Sequence, residues 1–196
     1  MKTKLLSGIL CLMPVIAFAS DHQWQVDSGI SGHGIHFSNS VATIDDGENA
    51  IGFKIGLERK FSDNYSLGIN YMRGTNAITQ AFSGLFCITF NNGQTCDEVD
   101  VDTSRISLLG SKTFQIWRRL HIKPSIGVAY QDVEMDIRYS DGSSVKGIGI
   151  KNQFGAEAKL DLMIKGERMG VGWEYGYFKS ADMRSSGGAI TFKYAF

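Results

Sequence analysis

Three groups of residues have the types and spacings that chemistry uses. The first is a cysteine pair. Cys11 falls in an apolar N-terminal segment, which leaves Cys87 and Cys96 in the rest of the chain. In an exported protein an even pair reads as a disulfide. The ring it closes is worth about 2.5–3 kcal/mol in the chain-entropy model. A metal pair is the weaker reading, since neither His nor further Cys stands nearby to complete a ligand set. The second group is His36-Phe37-Ser38. A His and a Ser two apart on a strand share a face, as a His-assisted hydroxyl nucleophile requires, but no placed acid follows. The third group is titratable: Asp27, Lys54, Glu58, Arg105, His121, Lys123, Lys151, Glu157, Lys159, Asp161, Glu174 and Lys193. Its meaning depends on the elements that carry it.

Residues 1–19 read as an export signal. Lys2 and Lys4 form a basic start, Leu5 to Phe18 is apolar apart from Ser7, and Ala17-Phe18-Ala19 is a small-x-small cleavage site. Leu10 before Cys11 is too bulky for a lipoprotein site. The expected mature domain is 20–196, with Lys2 and Lys4 removed and a net charge of −2. With Lys+Arg and Asp+Glu equal at 20 in the full chain, a strongly basic nucleic-acid binder is excluded. No later stretch is long and apolar enough for a spanning helix.

Period-two alternation dominates the chain beyond the export signal. Ile51, Phe53, Ile55 and Leu57 share one parity, as do Tyr65, Leu67, Ile69 and Tyr71, and Met169, Val171, Trp173, Tyr175 and Tyr177. Eight such segments occur, one of them running from Ile148 to Leu162. The opposite parity is small, polar or charged and holds the titratable group. Alternation alone fits two barrels of opposite polarity. A soluble lipocalin-like barrel puts the apolar set inside around a ligand; a membrane barrel turns it to lipid. Two features of the spacing favour the membrane barrel. Long connections (His33 to Gly47, Gly74 to Thr103, Asp132 to Gly147 and Lys179 to Ser186) alternate with short turns. Aromatics such as Trp24, Phe61, Tyr65, Trp117 and Tyr130 gather at strand ends. The expected fold is all-β: an eight-stranded antiparallel up-and-down transmembrane barrel, apolar face to lipid, with a polar charged lumen.

The last segment alternates Ile190, Phe192 and Tyr194 and ends on Phe196. It resembles the terminal signal read by the outer-membrane assembly machinery. With it, the mature chain resembles the small eight-stranded outer-membrane barrel family, the OmpA transmembrane domain and its OmpX-like relatives. The resemblance implies a Gram-negative outer-membrane location, contact with membrane lipid and lipopolysaccharide, a monomer, and no cofactor or metal. Some small outer-membrane barrels modify lipid A, but the His-x-Ser motif of the deacylases lies nearer the C-terminus, where this chain has no His.

Eight strands enclose a space that side chains fill, so the titratable group reads as a lumen charge network. The expected function is therefore non-enzymatic: loops presented for surface interaction, adhesion or envelope integrity. The expected contact surface is the Cys87–Cys96 loop with its apolar residues Phe82, Leu85, Phe86, Ile88 and Phe90, next to acidic Asp97, Glu98, Asp100 and Asp102. Its partner would be a host or cell-surface ligand. Asp141-Gly142 between alternating runs predicts a hairpin ribbon beyond the membrane. Pro124, inside an alternating run, predicts a bulge.

Overall fold

The computed structural model describes residues 24–37, 48–62, 64–76, 98–138, 144–148 and 152–196. Its strands are β1 Trp24–Phe37, β2 Glu48–Lys60, β3 Tyr65–Thr75, β4 Glu98–Lys112, β5 Phe114–Trp117, β6 Leu120–Arg138, β7 Ser144–Ile148, β8 Gln153–Lys165, β9 Met169–Lys179 and β10 Met183–Ala195. Every pairing is antiparallel. β5 continues β4 past Thr113, so the wall has eight strands: β1-β2-β3-β4-β6-β8-β9-β10, closed by β10 against β1.

Alternation decides the polarity. Ile30, Phe53, Ile69, Ile126, Phe154 and Trp173 are each more than half exposed on the outer surface, while Lys54, Arg105, Lys123, Glu157, Asp161 and Lys193 are buried inside. A water-soluble protein buries the first set and exposes the second. The lipocalin-like arrangement, with apolar residues lining a ligand cavity, is therefore overturned. The apolar belt needs lipid, and closure leaves no unpaired edge within it.

Both chain ends of the described barrel lie at one rim. The Phe196 N–H donates to the Trp24 carbonyl at 2.9 Å, and the Trp24 N–H donates back at 3.3 Å. Short turns share that rim, at 118–119, at 166–168 and between β2 and β3, where the Phe61 N–H donates to the Tyr65 carbonyl at 3.0 Å. In an outer-membrane barrel the short turns mark the periplasmic side.

The opposite rim departs from expectation in three places. The connection expected across Lys179 to Ser186 is only a turn, Ser180–Asp182, closed by the Ser180 N–H donating to the Met183 carbonyl at 2.9 Å. The strand resumes early because Met183 pairs with Phe37 and the β1 ladder starts there. His33, expected in the first long connection, lies within β1 and points into the lumen. The run from Ile148 to Leu162 divides into β7 and β8. Asn152 stands before β8 with φ of 61°, a left-handed conformation that Asn tolerates better than most side chains. The expected ribbon does form along its stem: β6 continues to Arg138 and pairs with β7 there, while its Asp141-Gly142 tip lies outside the described residues.

Pro124 is not a bulge. The β6–β8 register runs unbroken through Pro124↔Leu160. On the other side the ladder lapses between Ser111↔Ser125 and Phe114↔Ile122 and resumes in the same register. Proline has no N–H to donate, so a rung is missing and no residue is inserted. The true bulge lies nearer the rim, between Gln115 and Trp117.

Candidate functional site

Two regions gather chemistry: the lumen and the non-periplasmic end of the β4–β6 pair. In the lumen, inward positions from seven strands bring five cations against five carboxylates. Lys54 pairs with Asp27 at 3.1 Å and with Glu174. Lys159 reaches Glu174 at 3.5 Å and Glu157 at 3.6 Å. Arg105 binds Glu157 at 2.9 Å. These six residues form one continuous chain of charge. Nearer the periplasmic rim, Lys123 meets Glu58 at 2.6 Å and Asp161 at 3.8 Å, and Lys193 also meets Asp161. Burying a lone charge is expensive, and pairing offsets that cost.

One residue expected in this network stands elsewhere. His121 sits at the turn rim, its Nδ1 3.0 Å from the Arg119 carbonyl oxygen, because it lies one residue into β6. Lys151 lies outside the described residues.

Other lumen residues carry no charge and were not expected. The Arg105 guanidinium also donates to Gln131 Oε1 at 2.8 Å and Ser185 Oγ at 2.7 Å, and lies 4.7 Å from the centre of the Phe178 ring. Phe178 belongs to a buried apolar cluster with Ile35, Val101, Ala129, Val133 and Met183. All six point inward near the end opposite the periplasmic rim, so an apolar plug caps the charged column. The cavity beside His33, Lys54, Arg105 and Glu157 holds about 30 Å³, room for a single water. Phe178 is the residue that alternation could have found, since it shares the inward parity of Glu174.

The second region begins where β4 and β6 outrun their neighbours. β3 ends at Thr75, opposite Asp102, and β8 begins at Gln153, opposite Gln131. β6 continues from there to Arg138, roughly 20 Å of extended chain. Its outward positions face those of β4 directly, Asp100 opposite Asp136 and Asp102 opposite Glu134. Arg73 approaches Asp102 at 3.9 Å, with both side chains well exposed. Like charges in opposed positions lower sheet stability, so this carboxylate ladder is a local cost to the β4–β6 pairing. Of the expected contact surface, Glu98 has its backbone paired with Arg138, and Asp100 and Asp102 are in the ladder. Phe82, Leu85, Phe86, Cys87, Ile88, Phe90, Cys96 and Asp97 lie outside the described residues, as does Ser38 beside His36. No group of three or more His, Cys, Asp or Glu among the described residues converges on a common metal position.

The terminal segment exposes Ile190, Phe192 and Tyr194 on the belt. Tyr194 and Phe196 stack with ring centres 6.3 Å apart, and Phe196 closes the β1 seam.

A closed eight-stranded wall, an apolar belt and a charge-paired lumen define a small β-barrel of the outer-membrane type. Solved structures of that type are similar to it across nearly the whole chain. Neisserial surface protein A matches with TM-score 0.61 and 10% identity, over 89% of this chain and 97% of that one. Ail, the attachment invasion locus protein of Yersinia pestis, matches with TM-score 0.57 and 11% identity, over 88% and 97%. OprG from Pseudomonas aeruginosa matches with TM-score 0.51 and 8% identity, over 88% and 95%. No protein-family model and no curated protein sequence matches the chain.

Proposed function

We propose that this barrel is a non-enzymatic surface protein of the Gram-negative outer membrane, exported by residues 1–19, that presents its outer end to a cell-surface or host partner. One observation carries the reading: β4 extends past β3, β6 extends past β8, and together they bring opposed carboxylates over a lumen filled by ion pairs and an apolar plug. A lumen filled by side chains in this way leaves the outer surface as the face that meets the surroundings. The ladder favours a basic partner and electrostatically steered encounter. Ail, the attachment invasion locus protein, has been solved with the heparin analogue sucrose octasulfate. That ligand is polyanionic, and the ladder of this chain would repel it. The Cys87–Cys96 disulfide, with its flanking apolar residues, would complete the surface, and Phe196 would serve the assembly machinery.

The test uses bacteria displaying the intact protein and a variant with Asp100, Asp102, Glu134 and Asp136 changed to Asn or Gln. Adhesion to cultured host cells is expected to fall with added salt and to be lost in the variant, while the heat-dependent gel shift of a folded barrel persists. Equal adhesion by the variant, or none by the wild type, would end the proposal.

A further inference from the structure

The periplasmic rim has a lipid-facing groove that neither the lumen nor the outer end uses. It holds about 600 Å³ and is lined by Trp117, Arg118, Arg119, Leu120 and Ile164. We infer that it is a binding site for the phosphate-bearing headgroup of an inner-leaflet glycerophospholipid.

The bulge between Gln115 and Trp117 shapes the groove. Strict alternation after exposed Phe114 and Ile116 would turn Trp117 toward the lumen. The extra residue turns it outward instead, leaving consecutive apolar residues Ile116 and Trp117 58% and 71% exposed. Bulges re-aim side chains in this way. The re-aimed indole forms one wall of the groove, and exposed Ile164, paired with Leu120, forms the apolar floor.

The arginine turn between β5 and β6 is fixed by its backbone. The Arg118 carbonyl accepts from Gln115 Nε2 at 2.7 Å, and the Arg119 carbonyl accepts from the Lys165 N–H at 2.8 Å. Among the described residues neither guanidinium has a carboxylate partner within ion-pair distance or an aromatic ring beneath it. Two other basic residues of this rim are engaged. Arg59 lies over the Trp24 and Phe61 rings, at 5.5 and 5.8 Å, and Lys112 lies 5.0 Å from both the Tyr65 and Phe114 rings. The Arg118–Arg119 turn instead joins two uncommitted guanidiniums to an open apolar groove.

The occupant follows from position and charge. This rim stands at the inner leaflet, where glycerophospholipids present phosphodiesters at headgroup depth. A guanidinium grips phosphate oxygens through two parallel N–H donors. An indole sits at the same boundary, one edge wet and one face apolar. The acyl chains would lie along Ile164 and the belt beyond it.

The test is native mass spectrometry of the full barrel released from detergent micelles containing phosphatidylglycerol. Wild type is expected to retain one phospholipid. Arg118→Gln/Arg119→Gln should lower retention by about tenfold or more, and Arg118→Lys/Arg119→Lys should recover part of it, because ammonium keeps charge but loses the two-pronged geometry. Arg59→Gln should change nothing, since that side chain is committed to its rings. A second measurement needs no variant: diacylglycerol with the same acyl chains should not be retained by wild type. Retention of diacylglycerol as strongly as phosphatidylglycerol would overturn the site. So would equal retention by wild type and Arg118→Gln/Arg119→Gln, or an equal loss from Arg59→Gln.

Discussion

Arg105 concentrates the chemistry of the lumen in one side chain. It joins Glu157, Gln131 and Ser185 and touches the plug through Phe178. Its guanidinium is deeply buried, and deleting it leaves Glu157 with Lys159, at 3.6 Å, as its one cation among the described residues. Arg105→Met should therefore destabilise the barrel by about 3–5 kcal/mol, the range for breaking one side of a buried pair. Adding Glu157→Gln should restore much of that loss. Urea unfolding in lipid vesicles measures both; a single-variant loss below about 1 kcal/mol would mean that water already screens the pair. The charged part of this site is legible in the sequence. Alternation assigns a face to Lys54, Glu157 and Glu174, and charges confined together must pair. The plug is not legible, because Ile35, Val101, Val133 and Met183 are apolar at inward positions and so contradict the pattern that locates the strands. His121 misleads for the opposite reason: its parity is inward, but it stands at the end of its strand.

At the scale of the element, strand spacing decides which positions tolerate a side chain. A Cβ at Gly127 would run into the carbonyl oxygen of Leu108 on the neighbouring strand β4, and backbone cannot swing aside as a side chain does. A Cβ at Gly32 meets nothing within 4 Å. Gly127→Ala should cost about 1–3 kcal/mol through forced backbone movement, whereas Gly32→Ala should stay within about 0.5 kcal/mol. Parallel urea titrations of the two variants compare them directly, and equal midpoints would mean that the β4–β6 spacing relaxes without cost. Strand cores are legible because apolar and polar residues alternate through them. Strand ends are less so. The early start of β10 at Met183 rests on pairing with β1, and the break before β8 rests on the backbone conformation of Asn152. Neither leaves a mark on periodicity. Pro124 shows the converse: a rule about proline correctly finds a damaged rung, while the intact register on β8 shows that the wall absorbs it without an inserted residue.

For the whole molecule, the outward belt and the closed lumen make separate demands on a bilayer, and each can be measured. The chain has three tryptophans, and two of them report different depths. Trp173 lies mid-strand in β9, outward, between Leu162 and Ile190. Trp117 lies beside the periplasmic turn. In vesicles of brominated lipid, single-tryptophan variants should therefore separate. Bromines near the bilayer centre should quench Trp173 most, and bromines near the headgroups should quench Trp117 most. Equal quenching at both depths would place the belt flat on the membrane and overturn its spanning position. Closure makes the second demand. Ten lumen charges are paired and Phe178 and Met183 are fully buried above them, so the described residues fill the ions' path with paired charge and apolar side chains. Wild-type protein in planar bilayers should show no long-lived ohmic conductance at neutral pH. Phe178→Ala tests whether the plug contributes to that closure. It removes the largest side chain of the cap and costs about 3–5 kcal/mol. Because the ion-paired column beneath it remains intact, it should yield at most brief openings. A steady conductance in the wild type would mean that the paired column rearranges in the bilayer, and transport would then compete with surface contact as the work of this barrel.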